Sequence, residues 1–428
     1  MAREDEIKLA GANAMPAPTW HFLDMNDRSI AIPGNLQAKP LVSTMSNART
    51  DGTAEDFAYS LAFLQSWWEA THPAPSAEEQ AEIAATRAAE SGATYGGTAR
   101  SRYQVRADEL EEARSLEAAF ETGVGAEAAD LLRKAAGDAI VVTAGEGELV
   151  NERVTVMAAK GLLSAAAIDV IAGMGSTVNL DIVVDSPDAA EGDAGFAGST
   201  VRVIAGFDAK VNIRRVQTLD DGFTDIDDIG IVSANGAMVQ VNQTVLGSAA
   251  AYTGLACDLR GDKSQIKIDV RYLGHGEQDY DFNYVVRHHG RETVSDIQAN
   301  GVLAGKSKKT LRGTIDLIHG CKQAKGNERE TVLLVDKGVR NRTIPVILCN
   351  EDDVAGNHGA TIGHVNAEQL QYLESRGLSQ KQVEALFLEA TFEQAFNEAP
   401  SEQCAAGVNR LAKKILGHDL LFEDCESE

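Results

Sequence analysis

Three side chains in the C-terminal third of the chain are the candidates for binding a metal ion. His358 carries an imidazole, and Cys349 ends an apolar run nine residues before it. In a wound β structure this offset brings the two side chains near each other across a turn. Cys321 follows His319 by two residues, which on an extended strand points both side chains to one face. For each cysteine the alternative is a packing role as a small apolar side chain, or a place in a surface turn.

The cysteines as a set do not suggest a disulfide framework. They are odd in number, lie far apart and contain no CxxC pair; the five are Cys257, Cys321, Cys349, Cys404 and Cys425. The first residues lack the basic and apolar regions of a secretory signal, and no apolar run approaches the roughly 20 residues of a membrane span. We therefore expect a reducing compartment, the cytoplasm.

The charge of the chain argues against several classes of function. A net charge of −25 repels nucleic acids and anionic membranes. An acidic group at residues 220–228 lacks the spacing of an EF-hand loop, and we interpret it as a solvated turn. Phosphate-binding Walker A, GxSxG and HExxH motifs are absent, so we expect no catalytic activity of its own. The densest basic group is also interpreted as a solvated turn; it comprises Lys306, Lys308, Lys309 and Arg312.

The elements that must position these residues fall into three regions. Residues 1–137 begin irregularly and then become helical, with an apolar stripe from Phe57 to Trp68. A capping-box pattern at Ser76 predicts a second helix, and residues 107–135 predict a third.

Residues 138–365 change to short runs of alternating apolar and polar residues separated by Gly, Asp or Asn. Nothing of helical period interrupts residues 198–350. So many strands would curl or split as an open sheet, and a β-sandwich and a parallel β-helix both satisfy the pattern. No strict short repeat decides between them. We interpret residues 186–198 as a mobile loop or insertion.

Residues 366–428 return to helix and end in an acidic tail. Ser379 and Gln382 form a capping box for a long helix. Its apolar residues, between Val383 and Phe396, cover more than one stripe. Either this helix is buried within its own domain or a partner covers its second face.

Three motifs near this last junction carry a family resemblance. They are ERETVLLVDK at residues 328–337, DDVAGNHGATIG at 352–363 and QYLESRGL at 371–378. In this order they resemble the C-terminal hallmark of SufB and SufD, the scaffold proteins of SUF-type iron–sulfur cluster assembly. In the N-terminal region only Trp20 and the pair Met25 and Asn26 fit the family.

The resemblance implies a mainly β fold, a right-handed parallel β-helix flanked by N-terminal and C-terminal α-helical domains. It is closer to SufD, because the position of a SufB cysteine is Arg329 here and SufB has His-Glu where this chain has His358 and Gly359. The cysteine usual in SufD two residues before the histidine is Gly356 in this chain.

The resemblance also implies partners. A SufC-type ATPase would dock on the C-terminal helices, and SufB or a second copy of this chain would pair through the ends of the β-helix. A cysteine desulfurase system would supply sulfur indirectly. The candidate contacts for the ATPase are Tyr372, Leu373, Arg376, Gly377, Leu378 and Phe387.

The expected ligand is a transient Fe–S cluster, with no permanently bound cofactor. Clusters prefer thiolates, with imidazole as an occasional substitute. His358 is the first candidate ligand, Cys349 and Cys321 are weaker ones, and the alternative for His358 is a hydrogen-bonding role alone. The family motif around it comprises Asn357, His358, Gly359, Ala360 and Thr361.

These observations predict a SufD-like, non-catalytic scaffold subunit that works with SufB and SufC. One alternative is a homodimeric scaffold that works with SufC alone. An alternative of another class is a β-helix carbohydrate-active enzyme, although such enzymes are usually exported.

Overall fold

The computed structural model describes residues 6–17, 25–46, 53–71, 120–187, 194–364 and 367–420. Within these ranges the chain forms twenty strands and five helices. The strands are β1 Glu6–Ala12, β2 Arg28–Pro33, β3 Gln37–Ala38, β4 Val42–Ser46, β5 Ile140–Ala144, β6 Leu149–Met157, β7 Leu162–Ala172, β8 Thr177–Asp185, β9 Gly195–Ala205, β10 Lys210–Thr218, β11 Phe223–Ser233, β12 Met238–Val245, β13 Ala250–Leu259, β14 Gln265–Gly274, β15 Asp279–His288, β16 Val294–Leu303, β17 Lys308–Leu317, β18 Lys325–Leu334, β19 Arg340–Cys349 and β20 Ala355–Gly363. The helices are α1 Ala54–Thr71, α2 Ala126–Ala136, α3 Ala367–Ser375, α4 Gln380–Asn397 and α5 Glu402–Leu416.

The strands from β5 onward wind into a parallel β-solenoid of about eight turns. Even-numbered strands from β4 to β20 stack in one sheet, and odd-numbered strands from β3 to β19 stack in the other, where β5 also pairs with β7. From β4 onward, each strand therefore pairs with the strand two positions away in the chain, as in Lys210 beside Met238. This confirms the predicted mainly β fold and decides against the β-sandwich.

The core of the solenoid lies between the two sheets. In β8 the buried side chains alternate, with Val178, Leu180 and Ile182 on the inner face. Stacking repeats the pattern on neighbouring strands, as in Val178 beside Val211 and Val211 beside Val239. A single turn cannot bury its inner face alone, so stability depends on the neighbouring turns.

One corner of each turn repeats a left-handed backbone conformation. Seven stacked corner residues have φ between 54° and 68°, and each donates its backbone N–H to a carbonyl of the next turn. Only three of the seven are glycine, so no glycine repeat is visible in the sequence. The seven residues are Gly147, Gly175, Asp208, Gly236, Lys263, Glu292 and Gln323.

The N-terminal region is not wholly helical, which corrects part of the prediction for residues 1–137. β1 and β2 pair antiparallel, β3 joins β7, and β4 pairs antiparallel with β6. The helix expected from Phe57 to Trp68 is confirmed as α1, but residues 120–125 are not helical and α2 begins only at Ala126. Ser76 and Trp20 lie outside the described residues.

The loop expected at 186–198 is also partly corrected, because its last residues begin β9. Gly195 to Gly198 are buried, and a Cβ at Gly198 would lie 2.4 Å from the carbonyl oxygen of Ile226. The glycine and alanine residues at 195–198 reflect close strand packing rather than a loop.

Several members of the two charged groups interpreted as solvated turns are buried instead. Asp225 and Asp227 lie on the inner face of β11, while Asp228 lies on the opposite face. Lys309 and Arg312 of β17 are also buried. Alternation with the inward-facing Ile229 and Ile231 places the two acids inside. Such charges are tolerated in a core when paired.

The guanidinium of Arg215 provides that pairing in the middle turns. Its terminal nitrogens donate to both oxygens of Asp225 at 2.9 and 2.6 Å, and its Nε donates to Ser199 at 3.1 Å. Gln243 donates to Asp227 at 2.6 Å and accepts from Tyr284 at 2.9 Å. These hydrogen bonds link the buried polar side chains of the middle turns into one network.

The C-terminal helices pack on the solenoid as a small layer. The capping box of α4 is confirmed, since the Ser379 side chain accepts from the backbone of Gln382 and the Gln382 side chain accepts from Ser379. Phe392 and Ala395 of α4 pack with Leu411 of α5 and Leu273 of the solenoid. In the described part of the chain, no helix is long and apolar enough to cross a membrane.

Candidate functional site

The solenoid ends at β19 and β20, which form its open end. Each is the last strand of its sheet, so each has one edge without a strand partner among the described residues. Every residue of β20 from Ala355 to Ile362 is exposed, and Ile362 is 45% exposed. Pro345 lies within β19, where an edge strand tolerates its missing N–H. The open end therefore presents unpaired backbone groups and apolar side chains together.

Behind the open end the interior is polar. Glu330 of β18 accepts hydrogen bonds from Tyr272 at 3.0 Å, from the ammonium of Lys309 and from the hydroxyl of Thr343. Lys309 also donates to the carbonyl of Arg342 at 3.2 Å. Burial lowers the pKa of Lys309, and the carboxylate of Glu330 opposes that effect. Glu330 is thus satisfied on both oxygens.

Glu328 shares the inner face of β18 and is less well paired. Burial, together with the nearby Glu330 carboxylate, raises its pKa to about 7. Its Oε2 has no hydrogen-bond partner within the described ranges. The sequence interpretation missed both acids, although their alternation with Val332 and Leu334 was the signal that they face inward.

His358 lies in the middle of β20, exposed and directly beside Glu328 in the register of the sheet. The neighbouring Asn357 donates to Asn327 of β18 at 3.1 Å. Nothing lies within 4 Å of the position that a Cβ on Gly359 would occupy. Ala360 and Thr361 are exposed as well. The whole predicted motif therefore lines one free strand edge.

Cys349 is exposed rather than a small buried apolar residue. It ends β19, and its thiol donates to the backbone oxygen of Glu351 at 3.3 Å. His358 is three residues beyond the start of β20, about 10 Å along the strand. Cys349 lies at the corner between β19 and β20, whereas His358 lies farther along β20. The two side chains are therefore not stacked on each other.

Cys321 and His319 do not share a strand face, because both lie in the turn after β17. Cys321 is buried among Ile315, Leu317 and Ala324, whereas His319 is half exposed. Burial and the nearby Glu351 raise the pKa of Cys321 to about 12, which disfavours the thiolate that a metal needs. In the residues that the structure describes, no group of three or more His, Cys, Asp or Glu side chains could hold a metal ion.

The other cysteines do not alter this arrangement. Cys257 is a core residue as expected, and Cys404 is buried on α5, where burial raises its pKa to about 12. Cys425 lies outside the described residues. Among the four described cysteines, Cys349 is the exposed one.

Comparison with known proteins identifies the family. The sequence model of the "SUF system FeS cluster assembly, SufBD core domain" matches residues 154–391, more than half of the chain and most of the solenoid. The chain belongs to the SufBD family.

Curated relatives of the SufBD family share part of this region. The chain is 26% identical over 201 residues to the iron–sulfur cluster assembly protein SufD of Bacillus subtilis, covering 47% of this chain and 46% of that protein. It is 25% identical over 225 residues to a SufBD family protein of Porphyra purpurea, covering 51% and 46%. It is 32% identical over 144 residues to one of Mycobacterium leprae, covering 34% and 16%. The matches span less than half the length of these relatives.

The C-terminal helices of this SufBD protein expose some of the predicted contact residues. Tyr372 of α3 is 56% exposed, and Arg376 stacks over its ring with the guanidinium carbon 5.1 Å from the ring centroid. Leu386 of α4, which was not among the predicted contacts, is 45% exposed. Gly377 is exposed and has φ of 95°, which favours glycine at this turn. Leu373, Leu378 and Phe387 are half-buried. Part of the excess apolar surface of α4 is buried against α5, and part of it remains open.

Proposed function

We propose that this chain is a SufD-like, non-catalytic scaffold subunit of SUF iron–sulfur cluster assembly. Membership of the SufBD family carries the proposal, and a relative named SufD supports the choice of subfamily. The chain holds a transient cluster at its open end, in the cytoplasm, and keeps no cofactor permanently. A cysteine desulfurase system supplies the sulfur indirectly.

The open end is the surface by which this scaffold pairs with SufB or with a second copy of itself. Two neighbouring strands with free edges can extend their sheets into those of a partner. The exposed apolar side chain of Ile362 supplies contact area at that edge. His358 then lies inside the interface, where a partner can add the ligands that this chain lacks.

The SufC-type ATPase docks on α3 and the start of α4. Tyr372 and Leu386 are exposed apolar side chains there, and aromatic side chains often carry interface energy. ATP hydrolysis in that separate chain then rearranges the scaffold subunits. The homodimeric scaffold that works with SufC alone remains the second candidate, because both partners would use the same free strand edges.

The test is anaerobic co-expression with a SufC-type ATPase, with and without SufB, followed by size exclusion with light scattering. We expect Ile362→Asp to abolish scaffold pairing while ATPase binding persists. Met238→Asp is the matched control, since Met238 is 46% exposed on β12 but far from the open end. Equal effects of the two substitutions would remove the open end as the pairing surface.

ATPase docking is tested separately by Tyr372→Ala, with Tyr59→Ala on α1 as the control of similar exposure, 53%. We expect only the first to weaken association with the ATPase. Iron and sulfide analysis of the complex with His358→Ala then tests the ligand. An ATPase that binds neither wild type nor variants would contradict the scaffold proposal itself.

A further inference from the structure

The polar interior behind the open end contains one more carboxyl group than cations to pair with it. Glu328 and Glu330 are both buried there, against the single ammonium of Lys309. Glu330 accepts hydrogen bonds from that ammonium and from the hydroxyls of Tyr272 and Thr343. Glu328 is only 5% exposed, and its Oε2 has no hydrogen-bond partner among the described residues. A buried carboxyl in this state either keeps its proton or pairs with a cation that displaces the proton.

The fold makes specific room for the Glu328 carboxylate. Gly313 lies opposite on β17, and a Cβ there would be 2.2 to 2.5 Å from the carboxyl atoms of Glu328. The φ of Gly313 is not in the left-handed region, so this glycine is required for space and not for its backbone conformation. The missing side chain of Gly313 therefore leaves the space that the carboxyl of Glu328 occupies.

The register brings an imidazole to the same place. Glu328 and His358 are direct neighbours on adjacent parallel strands. Such neighbours lie about 4.8 Å apart at the backbone and project from the same face of the sheet. No strand covers β20 among the described residues, so the space beside His358 is reached from the open end. One residue of the pair is thus buried and the other is accessible.

We propose that Glu328 and His358 together bind a divalent transition-metal ion, through the free carboxylate oxygen and one imidazole nitrogen. These donors suit Fe²⁺, the ion that cluster assembly consumes, so naming iron rests on the proposed function. Two ligands leave the other coordination positions to water or to a partner subunit. Glu328 begins the separate motif at residues 328–337, thirty residues before His358, so only the strand register brings the two together.

The experiment is an anaerobic calorimetric titration of the isolated full-length chain with Fe²⁺ alone. We expect Glu328→Gln and His358→Ala each to weaken binding at least tenfold. Glu277→Gln is the matched control, because its side chain is 80% exposed and lies on another turn, and we expect binding like wild type. Far-ultraviolet circular dichroism and the unfolding midpoint confirm that each variant is folded.

Each other outcome overturns a defined part of the proposal. Wild-type affinity in Glu328→Gln removes Glu328 as a ligand, and no binding by the wild-type chain removes the site. Association with the SufC-type ATPase is measured independently of iron. Iron binding without that association would overturn the scaffold function but keep Glu328 and His358 as an iron site. Association without iron binding would overturn the iron site but keep the scaffold function.

Discussion

The middle turns of the solenoid, around β11, and its last turn, at β19 and β20, have the same strand geometry. They differ in what surrounds their inward-facing acids. In the middle, β11 is buried on both faces, and its inward acids are held by Arg215 and Gln243. In the last turn, β20 is exposed along nearly its whole length, and the inward Glu328 beside it has one oxygen without a hydrogen-bond partner among the described residues. An inner position tolerates charge in both places. In the middle turns the protein itself supplies the cation, the guanidinium of Arg215. At the open end, a cation can bind from outside the chain.

The largest expected effect lies in the middle turns. Arg215→Met should lower the free energy of unfolding by about 3 to 5 kcal/mol, because it leaves Asp225 and Asp227 buried without their cation. Arg329→Met, on the exposed face of β18, should change it by less than about 0.5 kcal/mol. Urea unfolding of both variants measures the contrast. Similar losses would show that the two regions do not differ in this way.

A second contrast concerns pH. Burial raises the pKa of Asp228 to about 6 from an ordinary value of 3.8, although hydrogen bonds from the Val124 N–H and the Thr200 hydroxyl oppose the shift. The native state therefore holds this proton more tightly than the unfolded state. The resulting stability is complete below about pH 4 and is lost as the pH rises through about 6, by about 2 to 3 kcal/mol.

Asp228→Asn should therefore flatten the dependence of unfolding free energy on pH between about 4 and 6 relative to wild type. Asp352→Asn, an exposed acid in the corner before β20, should keep the wild-type slope. Urea midpoints at several pH values give both slopes. An unchanged slope in Asp228→Asn would mean that this carboxyl does not titrate in the expected window.

The smallest contrast uses one substitution in both regions. A Cβ at Gly254 would lie 2.4 Å from backbone atoms of Gly123 and Val124, which cross the outer face of β13. Gly254→Ala should therefore lower the unfolding free energy by about 1 to 3 kcal/mol. Gly359→Ala, with open space around it, should leave it almost unchanged. Thermal unfolding of the two variants measures this contrast. An equal shift of the unfolding midpoint in both would contradict the packing argument.

Several elements were predictable because their signals are local. The helix at Phe57 to Trp68 and the capping box at Ser379 follow from spacing within a few residues, and both are confirmed. The alternating β region also lies where expected, with its strands between Ile140 and Gly363. The helical extent of residues 1–137 was overestimated, because short strands there are stabilised by pairing with distant strands such as β6 and β7. The division of the chain into three domains remains a prediction.

The candidate site was predicted only in part. The motif around His358 was found because a contiguous sequence carries it, while Glu328 was missed because its relation to His358 depends on register. Treating Asp225 and Asp227 as solvated failed for a related reason. Acidic residues favour turns on average, but alternation with Ile229 and Ile231 and pairing with Arg215 overrode that preference.

The sequence by itself determined the class of the central β region and of the C-terminal helices, the family motif and the absence of recognisable catalytic motifs. The tertiary structure decided which turn lies on which, and hence which distant residues meet. Successive turns differ in length: Thr177 lies beside Lys210, 33 residues on, whereas Met238 lies beside Gln265, 27 residues on. No constant period therefore exists to be read from the chain. Backbone hydrogen bonding between stacked strands sets the register, and that register places Glu328 beside His358.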